Sequence, residues 1–164
     1  MAKITDANEL FTHKLGAALT MEQTILEMLE KLEEESHDSQ LKQAFRQHYR
    51  ETQQQIQNLK QVFDALGERP DPQPCPAIEG LKKEGDELLK QVDDELIDSV
   101  AVGAAIETEH HEIAVYDGLI IKAEAMGEDD IRALLLENLE QEEQTLEKAV
   151  KRAEQFSKQL ARAR

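Results

Sequence analysis

Residues 102–123 read VGAAIETEHHEIAVYDGLIIKA, and the fold is decided there. Val102, Ala105, Glu109, Glu112, Tyr116, Leu119 and Ala123 recur at alternating intervals of three and four. That spacing lines the inward face of a helix in a bundle. Two acids, Glu109 and Glu112, interrupt the apolar stripe. A buried carboxylate without a partner is costly and tends to take up a proton. Either the stripe meets water at this level, or positive charge lies inside the bundle.

The flanking sequence supplies three more long helices with the same periodicity. The first runs from about Ala7 to about Glu35, capped by Thr5 or Asp6. Its stripe is Leu15, Ala18, Glu22, Ile25, Leu29 and Leu32, with Glu22 the one charged member. Gly16, Ala17 and Ala18 let a neighbour approach closely. The second starts from a cap at Ser36, Asp38 or Ser39 and reaches about Leu66, where Gly67 and Pro70 stop it. Its stripe is Leu41, Phe45, His48, Thr52, Gln55, Leu59, Val62 and Leu66, and its centre is polar, with His48, Glu51, Thr52, Gln54 and Gln55 close together. The helix containing residues 102–123 starts near Asp93 or Asp94 and ends near Gly127. The last begins at Asp129 or Asp130, with the stripe Leu135, Leu139, Glu142, Leu146, Ala149, Ala153, Phe156 and Leu160. Glu143 flanks its one striped acid, Glu142. Its basic end, KRAEQFSKQLARAR, suits a helix C-terminus.

Between the second and third long helices the chain reads GERPDPQPCPA over residues 67–77, an extended connector. A short helix over 78–92 follows, weakened by Gly80 and Gly85. A crossover this long can return the chain to the other end, so the second and third long helices can run parallel. The whole, residues 1–164, reads as one all-α domain built on a four-helix bundle.

The totals narrow the function classes. The formal net charge of −16 and the pI of about 4.7 oppose a nucleic-acid or anionic-membrane partner. No apolar run is long enough to span a membrane, and MAKITDANELF lacks the layout of a signal peptide. The single cysteine, Cys75, excludes an intrachain disulfide. These features predict a soluble, cytoplasmic protein. No Gly-rich phosphate loop, zinc spacing or nucleophile elbow occurs.

Each long helix places acid near its middle: Glu22, Glu51 with His48 a turn earlier, Glu109 and Glu112, and Glu142 beside Glu143. All lie about 13–18 residues into their helices, so at about 1.5 Å per residue they meet at one level. Glutamates and a histidine gathered in low dielectric need a cation or protons. Oxygen-rich donors with a little imidazole favour iron or manganese over zinc. His13 and His37 read as solvent-facing. His110 and His111 fall off the stripe, and Tyr116 reads as packing that can also hydrogen-bond a ligand carboxylate.

MEQ around Glu22, HYRETQQQI around Glu51, EHHEIAVY around Glu109 and Glu112, and EQEE ahead of TLEKAV resemble the YciE/YciF-like stress proteins of the ferritin-like superfamily. The resemblance implies a ferritin-like bundle, a homodimer, and a carboxylate-bridged pair of metal ions that meets a small oxidant, oxygen or peroxide. The wider superfamily places one Glu on each of two helices and Glu-x-x-His on the other two. Glu22, Glu51, Glu109 or Glu112, and Glu142 match the glutamates. Gln54 and Thr145 stand where histidines would, so His48 and Glu143 are expected as substitute ligands or supporting groups. The expected function is dinuclear iron or manganese binding linked to stress or oxidant handling. The rival is a structural or partner-binding bundle with a degenerate site and no catalysis. A storage cage is a third option, less favoured than a dimer.

Overall fold

A computed structural model describes residues 3–162; the first two residues and the last two, where the basic tail ends, lie outside the described residues. The helices are α1 (Ala7–Glu35), α2 (Ser39–Ala65), α3 (Pro76–Leu89), α4 (Ile97–Met126) and α5 (Asp129–Arg162), with a turn of 3-10 helix over Asp94–Leu96 before α4. The described residues contain no strand. The fold is therefore all-α, a ferritin-like four-helix bundle with a long crossover carrying a short extra helix.

Local chemistry sets the helix ends. Asp6 caps α1 by accepting from the Glu9 N–H at 2.8 Å, and Asp38 caps α2 by accepting from the Leu41 N–H at 2.8 Å. Gly127 ends α4 in the left-handed region, at φ 75°, where a side chain would be strained. The short helix spans Pro76–Leu89 and not 78–92. Proline costs nothing in a first helical turn, where its missing N–H has no partner to lose.

Side-chain pairings give the directions. Along α2, Asp38 at the cap, Gln55 and Asn58 meet Arg152, Gln141 and Asn138, so α2 and α5 are antiparallel. Glu22 meets Tyr116, and the N–H groups of His37 and Asp38 donate to Asp98, so α1 and α4 are antiparallel. A tight turn joins α4 to α5. It follows that α2 and α4 run parallel, as a long crossover permits.

The crossover is fastened at Gly16. The Gln73 N–H donates to the Gly16 carbonyl at 3.0 Å, and a Cβ on Gly16 would sit 2.2 Å from the Asp71 carbonyl oxygen. Only glycine lets the connector lie this close to α1. Then α3 runs along α1 in the same direction, through Thr24–Glu79, Glu27–Lys82 and Lys31–Asp86. It buries Ile78 and covers the α1/α4 side of the bundle.

Candidate metal centre

The stripes converge on a polar layer at mid-bundle. Glu22 from α1, His48 from α2, Glu109 and Glu112 from α4, and Glu142 from α5 are all buried, at most 4% exposed. His48, Glu109, Glu112 and Glu142 each bring one ligand-type atom within 4.8 Å of the others. His48 Nε2 lies 3.0 Å from Glu109 Oε1 and 3.7 Å from Glu142 Oε2. The 3.0 Å approach lies off the direction of the ring N–H, so it is an ionic contact and not an aligned hydrogen bond.

Glu22 is held from behind. The Tyr116 hydroxyl donates to Glu22 Oε1 in a very short contact. Asn138 Nδ2 donates to the Tyr116 oxygen at 3.0 Å, and Asn58 Nδ2 donates to Asn138 Oδ1 at 2.8 Å. Gln54 completes the chain by donating to Asn58 at 3.0 Å. Buried polar groups survive only when paired, and this network pairs one side of the layer. The other side is not paired. Glu22 Oε2, Glu109 Oε2 and both oxygens of Glu112 and Glu142 are buried with no hydrogen-bond partner.

The electrostatics follow from that crowding. Burial raises the Glu22 carboxyl to about 7, against the opposing help of Tyr116 and His48. Burial, with the charges of Glu142, Glu109 and Glu22, lifts Glu112 well above the usual carboxylate range. Burial and Glu22 do the same to Glu142. Burial disfavours charge on His48, but Glu109, Glu51 and Glu142 outweigh it and hold the imidazole well above its ordinary value. A divalent ion would reverse this logic by stabilising every carboxylate in its ionised form. Buried carboxylate oxygens within 4.8 Å of one another and of one imidazole are a donor set that hard or borderline divalent metals accept.

Two of the expected residues sit elsewhere. Glu51 is outside the cluster: it is half-buried on the far side of His48, with Oε2 3.6 Å from Nδ1, and it accepts from Gln47 at 2.9 Å. The stripe explains why, since His48, Thr52 and Gln55 point inward and Glu51 falls between them. Its carboxyl is held below the usual range by the His48 ring. Glu143 is exposed, because one residue beyond Glu142 turns the side chain about 100° round the helix. On α4 both candidates, Glu109 and Glu112, face inward. Gln54 binds Asn58, and Thr145 lines a cleft beside His48 and Glu109 outside the buried cluster. His110 is exposed, and His111 lies against Cys75, with Nε2 3.9 Å from Sγ. Asn58 and Asn138 are the residues that sequence reasoning missed. The available signal was their position, Asn138 one turn before Glu142 and Asn58 one turn after the polar pair Gln54 and Gln55.

Comparison with known proteins agrees with this architecture. A family model described as a domain of unknown function, DUF892, matches residues 6–162. Protein YciF of Escherichia coli K12 is 33% identical over 139 residues, 84% of either chain. The crystal structure of the E. coli stress protein YciF superposes with a TM-score of 0.89 at 30% identity, over 94% of this chain and 99% of that one. A structure described as YcfI, a putative structural protein from Rhodopseudomonas palustris, gives a TM-score of 0.88 at 39% identity, over 90% and 94%. The match along nearly the whole chain, with the same helical bundle, means that this protein belongs to the DUF892 family of YciF-like proteins.

Proposed function

We propose that the mid-bundle layer is a metal centre for iron or manganese, and that the protein works as a homodimer in cytoplasmic stress or oxidant handling. The observation that carries this is the set of six buried carboxylate oxygens without partners, on Glu22, Glu109, Glu112 and Glu142. Leaving them so costs about 1–3 kcal/mol per group unless a cation or proton satisfies them. Glu109, Glu112, Glu142 and His48 would hold the metal, with Glu22 as the fourth carboxylate. Four carboxylates and one imidazole supply enough donors for two ions with bridging oxygens. The bound metal would supply a redox-active Lewis acid for oxygen or peroxide. The chain's own part is to fix Glu22 through Tyr116 and Asn138 and to keep His48 beside Glu109.

Metal analysis of protein produced in iron- or manganese-supplemented medium tests the proposal. The expected outcome is one to two ions per chain, lost in a Glu109→Gln/Glu142→Gln double variant that keeps its helicity. No metal in the wild-type protein under either condition would overturn it.

A second reading has its own support. Burial raises Glu22 to about 7 and lifts Glu112 and Glu142 well above the usual carboxylate range, which lets protons alone neutralise the layer. The protein would then be a structural or partner-binding bundle with a degenerate site. In that case Glu112→Gln raises thermal stability and metal adds none.

A further inference from the structure

The two halves of the bundle are filled differently, and one of them is left open. Beside His48 the stripe of α4 carries Ala105 and that of α5 carries Ala149, where a leucine would fill the space. The result is a cleft of about 450 Å³ between α2 and α5, opening to the surface. Its floor is Leu41, Phe45, Val102 and Ala105, all buried, and at one end it reaches His48 and Glu109. Ala44 and Ala149 form its apolar sides. Small-molecule sites are usually apolar clefts of about 300–1,000 Å³ with a few convergent polar groups, and this cleft fits that description.

Charge narrows the occupant. The chain carries a net charge of −16, yet three cations of α5, Lys148, Lys151 and Arg152, line the cleft from one helix face. Arg152 is engaged by Asp38 at 2.6 Å, and Lys151 pairs with Glu147. Lys148 is the one of the three without an ion pair among the described residues. Glu51 stands near it, but His48 and Gln47 already engage that carboxylate.

We propose that the α2/α5 cleft binds a free single-chain organic anion, a medium-chain carboxylate, beside the centre. The headgroup lies at Lys148, where the cleft meets His48 and Glu109. The chain lies over Phe45, Leu41 and Ala149. This deepens the metal-centre reading by giving the site an organic ligand as well as a small oxidant. It depends on that reading only for what the ligand does, because the cleft itself is built from protein side chains.

Titration calorimetry with dodecanoate on the full-length chain, metal-free and metal-supplemented, tests it. The expected result is saturable binding of one dodecanoate per chain without metal. Ala44→Trp, at an exposed position on the cleft wall, should abolish binding with an unchanged thermal melt. Lys148→Glu should weaken binding at least about tenfold, or about 1.4 kcal/mol, and keeps the test decisive if the tryptophan variant folds poorly. Dodecanol, which lacks the charge, should bind about tenfold more weakly than dodecanoate. Absence of saturable binding by the wild-type protein overturns the proposal, as does equal binding of dodecanol or full binding by Ala44→Trp. Light scattering that shows Ala44→Trp splitting a dimer, with no dodecanoate bound by the wild type, would assign the cleft to a subunit contact and also overturn it. Metal content is measured separately, so failure of the centre and failure of the cleft are distinguishable.

Discussion

The carboxylate layer divides the bundle into two unlike halves. On one side lie the start of α1, the end of α2, the end of α4 and the start of α5. There Leu15, Leu59, Val62, Phe63, Ala123 and Leu135 are completely buried. On the other side Leu32, Leu41, Phe45 and Ala105 keep 4–8% exposure, and Ala149, Ala153 and Phe156 are only partly buried. In the first half these side chains are shut off from solvent. In the second half Ala105 and Ala149 face one another where larger residues could stand, and the cleft lies there. One half holds the helices in register; the other exposes a route to His48. Stability and access are thus assigned to opposite ends of the same four helices.

That contrast is sharpest for a matched pair of truncations. Phe63→Ala in the first half should cost about 3–5 kcal/mol in chemical denaturation, the range for a large cavity with little room to relax. Phe45→Ala borders a space already open to solvent, so it should cost less than about 3 kcal/mol. Equal costs would show that the halves do not differ in packing.

The next effect lies at the boundary. Tyr116→Phe removes the donor to Glu22 and one of the two acceptors of Asn138 Nδ2, the Gln55 carbonyl remaining, which should cost about 1–3 kcal/mol. Thermal melts of metal-free protein measure it; an unchanged midpoint would mean that the network does not anchor the layer. Gly16→Ala pushes a Cβ against the Asp71 carbonyl and should destabilise by about 1–3 kcal/mol, with proteolysis directed to the crossover. Resistance to cleavage equal to the wild type would free the connector from any part in the fold.

A pH scan separates the layer from both halves. Glu22, Glu112, Glu142 and His48 all have folded values raised above their unfolded ones. Each such group stabilises the fold below its unfolded value, and that stability is lost as pH rises through the folded value. For Glu22 the window runs from 4.5 to about 7. The metal-free melting temperature should therefore be higher at about pH 5 than at about pH 8, and metal should flatten or reverse the slope by replacing protons. A metal-free protein that is more stable at the higher pH would contradict the crowded layer. The smallest effect is expected at the surface: Lys151→Ala breaks an exposed pair with Glu147 and should leave the melting temperature unchanged, because solvent screens such a pair.

Much of this was legible in the residues because helix periodicity is a local property. The 3–4 spacing of Glu22, His48, Glu109, Glu112 and Glu142 runs through the inward members of the layer. Glu51 was expected among them from its place at mid-helix and from the family pattern, but it sits beside His48, outside the cluster. A motif describes residue types, whereas the angle of a side chain round its helix follows from about 100° per residue. Asn58 and Asn138 escaped notice because an amide beside a stripe looks like surface until its partner on another helix is known.

The sequence by itself determined the long helices, the proline crossover and the placing of acid near the middle of each long helix, since each depends on neighbours within one or two turns; among the caps it offered, the structure selects Asp6 and Asp38. Only the tertiary structure decided that Glu22, Glu109, Glu112 and Glu142 gather with His48 in one buried layer. It also decided that Tyr116 reaches Glu22 across 94 residues, that Gly16 seats the crossover, and that Ala105 and Ala149 face the same space. These depend on which helix faces which, and a contact between distant segments has no signature in either segment alone.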